Sequence, residues 1–507
     1  MVVIGNTLYS DNTPVLNSGL KAVAEIVKCP LKSLQKSVPV FIHQIIDIIR
    51  QIGSTEPEMV QTAFKSLSTI LRDDPGTQVK EKDLVYLLEL LSPDLEEPSR
   101  QASVFTMLRA IVSRKFVVPE MYDIMDKASE IMVTSQSPSV QEQCRNVLLQ
   151  FLMDYPQGKG RLRNQMTFLA KNLSYVFESG RISVMELLAA IVSKFEVGLV
   201  REYADLLFVA LVMVIANDDS SKCREMAAEL IKALFVKLDD NHRKLTISHL
   251  HSWANQHSQP QLTRVSLQIY SLIVDALQAD SLPYVRDMLE DLDAVMERSA
   301  QELASVEEED SMQVDVGWQV PYHSLIGISK VLRVFPNLFT GPNKINWVFI
   351  ADHLLFPHAW VRTASCRLLG LLFTEAQISA PRTDLPDNSP FSRRGMFEIA
   401  KKLCTQLKSE HLDAALSLQI VKNLFYIGKC FSAMTISPDL EVDKSIEDRE
   451  KTREGEDGPE NNPLPWLFSK LSYQIKSAHI ARRNRSLSTV KGACLTFRVK
   501  MLKYILG

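Results

Sequence analysis

Apolar residues along this chain fall into helical stripes that recur at a nearly fixed distance. Counted from Pro57, small or apolar residues stand six, ten, thirteen and fourteen positions on, at Ala63, Leu67, Ile70 and Leu71. The same offsets from Pro98 give Val104, Leu108, Ile111 and Val112, and from Pro138 they give Cys144, Leu148, Phe151 and Leu152. From Ser221 they give Ala227, Ile231, Leu234 and Phe235, and from Pro260 they give Ser266, Tyr270, Ile273 and Val274. From His358 they give Ala364, Leu368, Leu371 and Leu372. These offsets share one face of a 3.6-residue helix. A small residue at the first lets a neighbouring helix come close. Proline at the start suits a first helical turn, where its missing N–H needs no partner.

The starts at 57, 98 and 138 lie about forty residues apart. From 138 to 221 is close to two periods, with a weaker unit at Ser179–Val192, and 221 to 260 is one more. Between the striped helices lie apolar partners at 38–52, 82–91, 119–133, 164–177 and 202–216. Each unit is thus predicted to be a helical hairpin closed by a short polar turn. One hairpin cannot bury its apolar face alone, whereas stacked neighbours bury a continuous core. The expected fold is all-α, a HEAT/armadillo-like α-solenoid with about forty residues per repeat. Tetratricopeptide and ankyrin repeats, at about 33–34 residues, fit the period less well.

Three segments interrupt the register: acidic Gln301–Gly317, proline- and serine-rich Ile378–Arg394, and charged Thr435–Pro463. Each buries too little apolar surface to offset its ordering entropy and reads as a flexible loop. The expected organisation is solenoid repeats over 1–299, a loop over 300–317 and further repeats over 318–377. A loop over 378–395 and a helical repeat over 396–434 follow. A charged insert at 435–463 then precedes a basic helical segment, 464–507.

Composition changes this picture little. A hydrophobic fraction of 46% and a charged fraction of 23% are ordinary for a soluble globular protein. The N-terminus has neither the basic region nor the apolar run of a signal peptide. The longest apolar run, Leu206–Ala216, is far shorter than the roughly 20 residues that span a bilayer, and reads as a buried core helix. Seven cysteines are scattered without a CxxC spacing, which fits reduced, mostly buried thiols in an intracellular chain.

Charge is less even. The net charge is −3, yet residues 461–507 contain nine Lys or Arg and no carboxylate, leaving −12 on the remainder. Within that basic end, Lys470 and Lys476 flank Tyr473 on a predicted helix, and Arg482, Arg483 and Arg485 cluster beyond it. Such a patch suits RNA phosphates, with a salt-dependent and sequence-blind component. It equally suits a solvated helix end, or a partner for the acidic insert upstream.

Catalytic and cofactor signatures are missing from the pattern. The stretch 155–165 sets Gly158 and Gly160 beside basic residues, but it follows no strand and lacks a Gly-Lys-Ser/Thr ending, so it reads as a hairpin turn. His249 and His251 stand two apart, on different faces of a helix, and do not make a metal site with His242 or His257. Neither a G-x-S-x-G elbow nor H-E-x-x-H occurs. Glu308 and Glu309 fall in an expected loop without fixed geometry. The expectation is a non-enzyme without cofactor, metal, membrane or small-molecule substrate. Solenoids present long surfaces for binding.

Several blocks together resemble one family: FLMDYPQGKGRLRNQMTFLAKNLSY (151–175), VIANDDSSKCREMAAELIKAL (214–234), HLLFPHAWVRTASCRLLGLLF (353–373), LSLQIVKNLFYIGKCF (416–431) and PWLFSKLSYQIKSAHIARRN (465–484). They look like the C-terminal portion of the small-subunit processome component 20 homologs, also called down-regulated in metastasis proteins. The resemblance implies a nucleolar, nuclear helical-repeat scaffold that associates with pre-ribosomal RNA and small-subunit assembly factors. It implies no catalytic residue. Family members are longer, chiefly on the N-terminal side, so the chain is expected to be a fragment of such a protein. Residues 486–507 depart from the repeat helices expected there. The alternative class is a solenoid that binds protein segments, such as a nuclear transport receptor or phosphatase scaffold.

Overall fold

The computed structural model of the chain describes residues 2–29, 34–74, 76–97, 99–308, 317–339, 345–408, 412–434, 463–475 and 484. They fall into two compact units, Met1–Leu238 and Asp239–Gly507. Among the described residues every regular element is helical.

The first unit runs α1 (Val2–Thr7), α2 (Thr13–Ile26), α3 (Val38–Ile52), α4 (Glu58–Asp73), α5 (Glu81–Leu91), α6 (Gln101–Arg114) and α7 (Pro119–Thr134). It continues with α8 (Pro138–Asp154), α9 (Lys159–Asn172), α10 (Glu178–Lys194), α11 (Val197–Glu202), α12 (Ala204–Asn217) and α13 (Ser221–Lys237). The second unit comprises α14 (Asp240–Ala254), α15 (Pro260–Leu277), α16 (Leu282–Glu308), α17 (Gln319–Val334) and α18 (Trp347–Asp352). It ends with α19 (Ala359–Ala376), α20 (Arg393–Leu407), α21 (Ala414–Met434) and α22 (Pro463–Ile475).

Each unit has two layers. In the first, α2, α4, α6, α8, α10 and α13 each pack on the next and form a B layer. Their hairpin partners, α3, α7, α9 and α12 among them, form an A layer. In the second, α15, α17, α19 and α21 make the B layer, and α14, α16, α18, α20 and α22 the A layer. The protein is therefore an all-α, HEAT/armadillo-like solenoid of stacked hairpins.

The B helices are the striped helices of the sequence. All the apolar and small positions counted from Pro57, Pro98, Pro138, Ser221 and Pro260 are buried. On α19 one position differs, because a B helix is covered on two sides by its neighbours. Leu369 and Phe373 are buried there, while Leu371 faces the more open side and is half-buried. Small residues permit close approach: Ser66 Oγ donates to the Leu20 carbonyl across the layer at 2.9 Å. A Cβ on Gly180 of α10 would run into the Val133 carbonyl oxygen.

A second device closes the hairpins. The fourth residue of several B helices reaches back to the carbonyls of the preceding turn, which would otherwise lack partners. Arg181 donates to Tyr175 O and Val176 O at 2.9 and 3.0 Å. Arg224 does the same to Asp218 O and Asp219 O, and Arg362 to Phe356 O and Pro357 O. Gln141 reaches Ser135 O in the same way. Arg181 also extends to the next turn, its Nη2 donating to Asp218 Oδ1 at 2.9 Å.

Four expectations need correction. The A helix expected over 164–177 spans Lys159–Asn172, because Gly158 is its N-cap and the basic residues after it are helical. The acidic loop expected from residue 300 is helical as far as Glu308. The apolar run 206–216 is not wholly buried: Leu206, Val209 and Met213 are 38, 52 and 54% exposed, one stripe of α12 facing outward. The loop expected over 378–395 ends at Ser392, the N-cap of α20, and Phe391 within it is buried. Five of the six described cysteines are buried, and Cys29 is exposed. Burial pushes the Cys144, Cys366 and Cys404 thiols up to about 12.

One half-buried base should make the second unit acid-sensitive. Burial, helped by the neighbouring Arg264 cation, pushes the His323 imidazole down to about 4. In the unfolded chain it protonates near its ordinary value of about 6.5. Its contribution to stability is thus complete above about pH 6.5 and is lost as pH falls towards the folded value. Urea unfolding should show at most about 3 kcal/mol lost over that window on this account. The His323→Asn chain should lack that component; superimposable pH profiles for the two chains would exclude it.

Candidate nucleic-acid interface

Between Asp154 and Glu178 the sequence contains no carboxylate and four cations, Lys159, Arg161, Arg163 and Lys171. All four lie on α9. The helix buries Leu162, Met166 and Leu169, and Leu173 follows on the same side. That spacing turns Arg161, Arg163, Asn164, Thr167 and Lys171 to solvent. Among the described residues, none of Arg161, Arg163 and Lys171 lies within ion-pair distance of a carboxylate.

Neighbouring elements fix part of this face. The Arg161 guanidinium sits 4.0 Å above the Tyr122 ring of α7, a cation–π contact. Tyr122 is itself held by donating to Pro156 O at 2.8 Å and by edge contacts with Phe151 and Tyr155. Gln165 donates to Ser129 Oγ at 2.7 Å and pins α9 to α7. The opposing face of α7 is acidic. Burial raises the Asp126 carboxyl, and nearby Arg161 opposes that rise. A stacked guanidinium, a second exposed arginine and a lysine along one helix can contact successive phosphates of a polyanion.

The residues named from sequence lie elsewhere. Lys470 is exposed on α22, which buries Leu464, Leu467, Phe468 and Leu471 against α20 and α21. Lys476, Arg482, Arg483 and Arg485 lie outside the described residues, as do most of 435–463. The structure therefore does not bring those five cations together as a described site. The two glycines of 155–165 suggest a turn and so hide the α9 face from a motif reading. A count of carboxylates over 155–177 finds it.

The histidine-rich helix α14 holds structural pairs. His242 Nδ1 lies 2.8 Å from Asp239, and His251 Nδ1 lies 2.9 Å from Asp291, which also accepts from Tyr270. Among the described residues no three His, Cys, Asp or Glu side chains gather as metal ligands, and no helix is long and apolar enough to cross a membrane.

Stacked hairpins with a cationic A-layer helix define a helical-repeat protein. Over 443 residues the chain is 33% identical to the U3 small nucleolar RNA-associated protein 20 of Schizosaccharomyces pombe (strain 972 / ATCC 24843), covering 86% of this chain and 17% of that protein. Over 476 residues it is 32% identical to the protein of the same name in Saccharomyces cerevisiae (strain ATCC 204508 / S288c), covering 93% and 18%. The chain belongs to this family, that of small-subunit processome component 20. It spans less than a fifth of the length of these relatives. No family model matches it. Among solved structures, Kap121p aligns at 12% identity and a TM-score of 0.40 over 99% of this chain and 49% of that one. Importin beta aligns at 12% identity and a TM-score of 0.37 over 97% and 56%.

Proposed function

We propose that this chain is a segment of a non-catalytic helical-repeat scaffold acting in pre-rRNA processing and small ribosomal subunit biogenesis, in the nucleolus. It would hold pre-ribosomal RNA and small-subunit assembly factors by spreading modest contacts over successive hairpins. The observation that carries this reading is the alignment of 86 and 93% of the chain with two proteins named for association with U3 small nucleolar RNA. The α9 face supports the RNA part of it, since fixed cations on a rigid helix attract a polyanion at little ordering cost. Lys470, Lys476, Arg482, Arg483 and Arg485 remain a proposed second RNA contact.

Gradient sedimentation of the tagged full-length protein tests the reading. Co-migration with large pre-ribosomal particles, abolished by ribonuclease, is the expected result. Recovery only with soluble transport cargo or a phosphatase would overturn it.

A further inference from the structure

In the second unit, the N-terminal ends of α17 and α19 carry a cluster of rings. Trp318 is the N-cap of α17 and His358 the N-cap of α19. Their rings stack nearly parallel, 5° apart in plane and 4.2 Å between centroids. Trp360 stands at 87° to Trp318 with a centroid distance of 4.9 Å, and Tyr322 lies 6.0 and 6.1 Å from the two indoles. Trp360 is 58% exposed. Among the described residues no ring lies face to face upon it.

We propose that Trp360, backed by Trp318 and Tyr322, is a base-stacking platform for single-stranded RNA, an inference that rests on the RNA-scaffold reading above. Three features support it. The rings are held in place before any ligand arrives: His358 Nδ1 accepts from the Trp360 backbone N–H at 3.3 Å, and Arg362 clamps the turn through Phe356 O. An indole face left open and rigid has the size and polarisability to stack a nucleobase, a contact that tolerates any base. Partial positive charge lies close by, because the N-terminal ends of α17 and α19, capped by Trp318 and His358, meet at the cluster.

The charge pattern also says what kind of contact this is. Residues 317–323 and 356–363 contain no carboxylate, but acidic residues 307–310 precede Trp318 in sequence. Stacking rather than phosphate pairing is therefore the main attraction. A duplex keeps its bases stacked inside, so the platform selects single strands.

The test uses the full chain and labelled oligoadenylate of about twelve nucleotides, against an RNA duplex of equal length. Trp360→Ala should weaken single-strand binding roughly 5- to 100-fold. Trp360→Phe should retain most of it, and duplex binding should not change. Because no phosphate contact is lost, the slope of log K against log salt should stay the same for Trp360→Ala. Unaltered circular dichroism and melting would show that the fold is kept, as the exposed ring predicts. If Trp360→Ala binds the single strand like the parent while neutralising α9 weakens it, the platform is refuted and the RNA reading stands. If the parent binds neither RNA, and the tagged protein cross-links to none in cells, both fall. Loss of a protein from the tagged assembly, with RNA affinity unchanged, would make the cluster a protein site and overturn the proposal.

Discussion

Asp218→Ala is expected to destabilise the first unit by about 3 kcal/mol, a larger loss than any surface substitution should cause. The Asp218 side chain is 5% exposed and that of Arg181 13%, with Nε 2.7 Å from Oδ2. The carboxylate also accepts from the Ser220 N–H at 2.8 Å, so it caps the turn before α13 as well as pairing with α10. Removing it leaves a guanidinium partly buried without its counter-charge, and that desolvation is the main cost. Arg181→Met with Asp218→Ala should recover part of the loss, because no charge is then stranded. Urea unfolding of the two single variants and the double variant measures the coupling. A single-variant loss below about 1 kcal/mol would show that water reaches the pair.

The second large effect concerns RNA. Arg161→Glu, Arg163→Glu and Lys171→Glu in one chain should lower RNA cross-linking at least about tenfold near physiological salt. The corresponding glutamine variant should reduce the salt slope of single-strand binding by about 2, since each phosphate contact contributes roughly 0.7. Stability should change little, because all three side chains are exposed and the buried face of α9 is untouched. Arg161 should contribute more than its charge alone, as its stacking on Tyr122 fixes the guanidinium. Unchanged cross-linking with an unchanged slope would remove α9 from the interface.

Much of this fold is legible from periodicity. The four offsets select only buried positions on α4, α6, α8, α13 and α15, because a B helix packed on both neighbours tolerates few polar residues along that stripe. The A layer is harder to read. Helix α12 is apolar all round in sequence, yet Leu206, Val209 and Met213 face outward, so hydrophobicity alone does not distinguish a covered side from an open one. The turn propensity of Gly158 and Gly160 masks the start of α9, although neither glycine is required sterically: a Cβ at either position would meet nothing within 4 Å.

The aromatic cluster is concealed differently. Trp318 and His358 occupy the same place in successive repeats, one period apart, and only the stacking of hairpins makes them neighbours. Aligning the units position by position, turns included, sets the two residues side by side.

The arginine clamps also bear on how such a chain lengthens over generations. Arg181, Arg224 and Arg362 tie the turns that lead into α10, α13 and α19, so an added residue there would pull carbonyls away from their donors. Connections from a B helix to the next A helix are held from other helices instead: Arg114 of α6 donates to Thr77 O, between α4 and α5, at 3.0 Å, and Arg201 to Lys237 O, at the end of α13, at 2.9 Å. On α17, which follows the long connection from α16, Tyr322 stands where the clamping arginines stand in the others. Length changes should therefore be rare in the turns before α10, α13 and α19, where each added residue would strand carbonyls that an arginine now satisfies.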